Sequence, residues 1–265
     1  MRTISLASGT LPEFDPVTVV AAAAHAGFDG CGIWFDAATW TDETTRATAA
    51  AFRDTGLTPL EIEVLVVGDP AADAPHARLL DAGAAIGATE AIVVSREPDV
   101  SRTAARLARL DELAKPRGIR LNLEFLPIFA IRNLAEARNV VDRVGSDNVK
   151  ILVDPLHVAR SGTELAEIAA LPRALVSFAQ FCDAPPTPPG DGGFDALYDE
   201  AINGRLLPGD GDLPLARLLA ALPADLPLSL EMRAAWLRQR HPDPKDRARV
   251  VMDGMRRWLK AAGID

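Results

Sequence analysis

The strongest constraint on this chain is a repeating alternation along its length: short apolar runs, each followed by a longer stretch of helical periodicity. The runs occupy residues 3–7, 30–35, 58–66, 91–95, 120–125, 150–154, 175–181 and 227–231. They read as nearly continuous apolar segments, the pattern of strands buried on both faces in a parallel sheet. Between them, residues 17–26, 44–55, 77–86, 101–114, 134–144 and 213–222 place apolar side chains at three- and four-residue spacing, as amphipathic helices do. Gly27, Gly56 and Gly118 end helical stretches and lead directly into strands. Eight β–α units in 265 residues predict an α/β fold of the (β/α)8 barrel type, a single domain over residues 1–265. The competing arrangement, a doubly wound open sheet, usually has fewer strands. No GxGxxG follows the first strand and no GxxxxGK[ST] occurs anywhere, so a nucleotide-binding fold has no support.

Composition narrows the partners. A net charge of -9 argues against a nucleic-acid binder, whose footprint is a basic patch. No apolar stretch approaches the roughly 20 residues that span a bilayer, and the first residues run into a strand without signal-peptide architecture. Cys31 and Cys182 lie far apart, outside any CxxC spacing, and read as free thiols of a reducing compartment. The expectation is therefore a cytoplasmic protein acting on a small molecule, with no membrane or nucleic-acid partner, and homo-oligomers as an open possibility. Residues 183–211, rich in Pro and Gly, read as one long irregular loop after the seventh strand, where a substrate loop over the mouth would sit.

In a barrel of this kind, polar residues at the C-terminal strand ends point into the mouth. Four successive strands there offer an oxygen-bearing side chain: Glu124, Asp154, Gln180 and Glu231. One acid at a strand end is usually a helix cap or a surface charge; a set at equivalent places in consecutive units is a site. Three carboxylates brought together repel unless a cation neutralises them or some take up protons. All-oxygen ligation suits Mn²⁺ or Mg²⁺, admits Co²⁺ and is less natural for Zn²⁺.

These residues resemble those of the sugar phosphate isomerase/epimerase superfamily, the xylose isomerase-like TIM barrels, over essentially the whole chain. The marks are Ala24-His25-Ala26-Gly27-Phe28-Asp29-Gly30, Leu123-Glu124-Phe125, the segment from Asp154-Pro155-Leu156-His157 to Gly162, Gln180-Phe181-Cys182-Asp183, Arg205-Leu206-Leu207-Pro208-Gly209-Asp210-Gly211 and Ser229-Leu230-Glu231. The resemblance implies that Glu124, Asp154, Gln180 and Glu231 bind the metal. The family often has His where this chain has Gln180, although certain dehydroshikimate dehydratases look to use Gln there. It further implies that His157 contacts substrate or moves protons. Arg205, in the loop before Pro208-Gly209, and Arg233, two residues past Glu231, are read as candidates to hold a carboxylate, phosphate or hydroxyl of the substrate, with a solvent-exposed arginine as the alternative for each. Trp34, ending the second strand, would wall the pocket.

The chemistry such a site serves is proton abstraction next to a carbonyl, with Glu124 as base and Glu231 or His157 as the second acid/base. Isomerisation or epimerisation of a sugar, sugar phosphate or keto-polyol through an enediolate is the leading expectation. A metal-dependent dehydratase is the alternative, because residues 126–130 are apolar and lack the second Glu common in ketose 3-epimerases. Endonuclease IV, which shares the barrel, is disfavoured by four histidines and the acidic charge. A non-catalytic barrel would have little reason to gather three acids.

Overall fold

The computed structural model describes residues 2–68 and 73–264. Among them, eight parallel strands form one sheet: β1 (Ile4–Leu6), β2 (Gly30–Trp34), β3 (Thr58–Val67), β4 (Glu90–Ser95), β5 (Arg120–Glu124), β6 (Val149–Leu152), β7 (Ala179–Phe181) and β8 (Leu228–Leu230). Pairing runs β6-β5-β4-β3-β2-β1-β8-β7. The ring closes between β6 and β7 through the parallel bridge Val153–Ala179, with the Gln180 N–H donating to Val153 O at 3.0 Å. This is the (β/α)8 barrel the alternation predicts.

The helices follow their strands: α1 (Pro16–Ala26), α2 (Asp42–Thr55), α3 (Asp73–Ile86), α4 (Val100–Ala114), α5 (Leu134–Val144), α6 (Pro155–Ser161), α7 (Leu165–Ala169), α8 (Phe194–Asn203), α9 (Leu215–Ala221), α10 (Ala235–Arg240) and α11 (Pro244–Ala262). Local chemistry marks their ends. Asp15, Asp99, Asn133 and Asp243 cap N-termini with their side chains, and Gly27, Gly56, Gly145 and Gly263 take left-handed conformations at C-termini. The 19-residue α11, outside the helical stretches read from the sequence, carries both signals, Asp243-Pro244 and Gly263. It packs against α1 and covers the first strand's side of the barrel.

The main core lies between strands and helices, while Leu60, Ile92, Leu152 and Phe178 form a separate cluster inside the barrel. Below that cluster a polar plug fills the N-terminal end. Glu90 accepts from Arg120 Nε and Asn122 Nδ2, each at 2.9 Å, and Ser177 Oγ donates to Asn122 Oδ1 at 2.6 Å. Ser177 serving this plug helps explain why β7 begins later than the apolar run 175–181 suggests: residues 173–175 form a 3-10 turn instead.

The segment 183–211 is not the irregular loop its composition suggests. It contains α8, and Asp183 organises the rest. Its buried carboxylate accepts from the backbone N–H groups of Ala184, Gly209, Gly211 and Leu213 at 2.8–3.1 Å. Gly211 is required there, since a Cβ would lie 2.4 Å from Ala184 O. Four N–H donors converging on one acceptor give a Pro/Gly-rich chain a defined path. Cys31 and Cys182 are buried free thiols, and among the described residues no helix is long and apolar enough to cross a membrane.

Candidate active site

The strand order places the C-terminal ends of β5, β6, β7 and β8 side by side around one mouth, which encloses a cavity of about 330 Å³. That is near the lower end of the roughly 300–1,000 Å³ range of small-molecule sites. Trp34, Glu124, His157, Gln180, Arg205, Glu231 and Arg233, all singled out from the sequence, line it. Asp154 lies just behind the lining and 1% exposed.

Asp154 follows β6 and serves as the N-cap of α6, with Pro155 in the first turn. Its Oδ1 accepts from the N–H of Leu156 at 2.7 Å and of His157 at 3.4 Å, and its Oδ2 accepts from Arg205 Nη1 at 2.6 Å. Burial pushes this carboxyl up, but Arg205, His157 and the hydrogen bonds outweigh it and hold it below the usual carboxylate range. Capping thus sets the site as well as the helix: the turn that ends on Asp154 puts His157 over the cavity.

Arg205 is only 2% exposed and spans two acids, pairing with Asp154 through Nη1 and with Glu231 Oε2 through Nη2 at 2.8 Å. Its Nε donates to Ala201 O at 3.0 Å, tying the pair to α8. Glu231 accepts a second ion pair from Arg233 Nε at 3.0 Å, and the Arg233 guanidinium lies 5.3 Å from the Trp34 ring centre. The expectation that Arg205 serves substrate is thus qualified: most of its donors are already engaged within the protein.

Glu124 is different. Its one contact of salt-bridge type among the described residues is with His157 Nε2 at 3.6 Å, too long for a hydrogen bond. Burial, together with the nearby Glu231 and Asp154, pushes Glu124 well above the ordinary carboxylate range. Burial also lowers His157 to about 4, so the imidazole is neutral at pH 7 and the contact is not an ion pair. Gln180, 2% exposed, leaves its buried Oε1 with no hydrogen-bond partner in the structure. An orphaned amide oxygen and a carboxyl that burial forces toward protonation, lining one cavity, are a donor set that a cation would satisfy.

The donor chemistry fits a divalent ion. Candidate ligand atoms of Glu124, Asp154 and His157 lie within 4.8 Å of one another, with Gln180 and Glu231 lining the same cavity. The compact geometric group therefore includes His157, which the sequence pattern assigns to substrate. Three carboxylates against two arginines leave one negative charge for an ion to balance.

One lining residue escapes the strand-end pattern. Glu63, 3% exposed on β3, is hydrogen-bonded to Ser8 and faces the same cavity. Burial and the neighbouring Glu231 raise its carboxyl to about 7, against the opposing effects of Arg233 and Ser8. The signal was present in Glu61-Ile62-Glu63, two acids in an otherwise apolar strand. Glu61 proves to be a buried core acid, hydrogen-bonded to Ser229. The other histidines stand outside this lining. His25 is exposed, His241 pairs with Asp246, and His76 is buried on α3.

Comparison with known proteins places this geometry among relatives. The family described as xylose isomerase-like TIM barrel matches residues 20–262. An inosose isomerase of Halalkalibacterium halodurans is 28% identical over 118 residues, 44% of this chain, and the match spans only 39% of that protein's length. Among solved structures, a fusion of a xylose isomerase-like TIM barrel with a 4-hydroxyphenylpyruvate dioxygenase superposes with a TM-score of 0.83 at 20% identity, covering 98% of this chain and 43% of that one. The IOLI protein, solved with a bound zinc atom, superposes with a TM-score of 0.80 at 17% identity, covering 98% of this chain and 97% of that one.

Proposed function

Because the chain belongs to the xylose isomerase-like TIM barrel family, we propose that it is a divalent-metal-dependent isomerase or epimerase acting on a small sugar-like or keto-polyol substrate. The observation that carries this reading is that Glu124, raised by burial and neighbouring acids, and the orphaned Oε1 of Gln180 line one ligand-sized cavity. Glu124, Asp154, Gln180 and Glu231 would hold the ion, with His157 close enough to join or replace one of them. When bound, a divalent ion supplies polarisation of the substrate carbonyl and charge stabilisation worth several kcal/mol.

The chain's own residues supply the rest. Glu124 takes the proton from the carbon beside the carbonyl, and Glu231 or His157 returns one; such steps contribute typically about 10²–10⁴-fold each. Arg205 keeps Asp154 ionised and pairs with Glu231, holding both side chains in place. The apolar wall of Val64, Val66, Ile92, Val94 and Leu126 excludes water from the reacting carbon. The inosose isomerase relative supports a keto-cyclitol as first probe.

A dehydratase acting on a keto acid is the second reading, and Arg96 favours it. It lines the cavity, lies 5.8 Å from the centre of the Phe129 ring and forms no ion pair among the described residues, so it is available to a carboxylate. Calorimetric titration with Mn²⁺ and Mg²⁺, beside Glu124→Gln and Gln180→Leu variants, tests the shared site. Binding of one ion per chain that both variants weaken at least tenfold supports the assignment; no binding by the wild type overturns it. Turnover of inosose against 3-dehydroshikimate then separates isomerase from lyase.

A further inference from the structure

Glu63 is a buried acid on β3, two residues from the core acid Glu61, and ionising it there is costly without a partner. Glu231, on the same cavity, is paired with two arginines; Glu63 has no salt bridge among the described residues. Its hydrogen-bond partner is Ser8, in the turn after β1, which orients the carboxyl. Around the ring of eight strands, β3 stands diametrically across from β7, which carries Gln180. The proposed ion-binding residues occupy β5 to β8, so Glu63 and the neighbouring Trp34 on β2 form the facing wall.

We propose that Glu63 is a catalytic acid/base of this site, exchanging a proton with the substrate from the β3 wall that faces Gln180, two strands round the ring from Glu124. This rests on the isomerase/epimerase reading above and names the second proton carrier for it. In the step, the C–H bond beside the carbonyl breaks, its proton goes to Glu124 and its electron pair forms the enediolate. The Glu63 O–H bond then breaks, its proton forms the new C–H bond on the other face, and the carbonyl reforms. Glu63 is left as a carboxylate and Glu124 as an acid, and exchange with water resets both. Two separate carriers give inversion, and the carbon gains a hydrogen from solvent.

The test is proton NMR of inosose incubated in D2O with the Mn²⁺-loaded wild type, Glu63→Gln and Glu124→Gln. The wild type exchanges the α-hydrogen and forms the epimer. Glu63→Gln keeps α-exchange within about threefold while epimer formation falls by about a hundredfold or more. Glu124→Gln loses both. A Glu63→Gln variant that epimerises like the wild type, or loses exchange and epimerisation equally, overturns the role of Glu63 and leaves the isomerase reading standing. A wild type that exchanges nothing overturns that reading and this one with it. Carbon-13 NMR of glutamate-labelled, metal-free protein adds a readout independent of turnover: a signal titrating near 7 and absent from Glu63→Gln is expected, and its absence counts against the proposal.

Discussion

Arg205 and Asp154 meet at 2.6 Å inside the barrel mouth, each nearly excluded from solvent, although 51 residues separate them in the chain. Together with the Arg205–Glu231 pair, this contact makes one guanidinium the counter-charge for two acids from the β6 and β8 units, on either side of β7.

Removing that guanidinium leaves buried charges unbalanced. Arg205→Met is expected to destabilise the protein by about 3–5 kcal/mol, the usual cost of breaking a buried pair from one side. Urea unfolding at pH 7 measures it. A loss below about 1 kcal/mol would mean that the acids are already balanced without Arg205.

Glu63 couples stability to pH in the metal-free protein. Its folded carboxyl titrates at about 7 against an ordinary 4.5, so the folded state binds the extra proton and stability falls as pH rises from 4.5 through 7. Glu63→Gln abolishes that dependence. The variant should match the wild type near pH 5 and exceed it at pH 8 by on the order of 3 kcal/mol. Thermal unfolding across that range decides it, and equal curves at both ends would contradict the burial argument.

Asp183 holds the chain over the mouth. Asp183→Ala removes the acceptor of four backbone N–H groups, three of them from Gly209, Gly211 and Leu213. Each buried donor left unmade costs about 1–3 kcal/mol, so a loss of several kcal/mol is expected, unless water enters. Hydrogen exchange should show protection lost first across residues 207–213.

The two ends of the barrel should separate in their responses. Glu90→Ala strips partners from Arg120 and Asn122 at the closed end, lowering stability by roughly 2–4 kcal/mol. Divalent-ion titration of this variant should match the wild type, because none of the affected groups lines the cavity. A changed affinity would show that the plug and the mouth are coupled.

Much of the candidate site was legible before any fold was known. Glu124, Gln180 and Glu231 stand at the ends of apolar runs, and runs of that kind identify themselves by local composition. Residues 183–211 misled for the same reason: Pro and Gly mark a chain without regular structure, but α8 forms within it and the acceptor that orders the remainder, Asp183, acts across the fold. Glu63 was passed over because its strand places acids at every second residue, and only the ring geometry separates Glu61, turned into the core against Ser229, from Glu63, turned to the cavity.

The sequence by itself determined the barrel, its β–α count and the strand ends that carry oxygen-bearing side chains, because period, capping and turn chemistry act over a few residues. Tertiary structure alone decided which charges cancel and which do not. Arg205 reaches Asp154 and Glu231, Ser8 reaches Glu63, and Gln180 Oε1 is left without a hydrogen-bond partner, because those pairings depend on strand register and ring closure. Burial then converts proximity into chemistry, raising Glu63 to about 7 and lowering His157 to about 4 at positions whose residue types alone would suggest the reverse order.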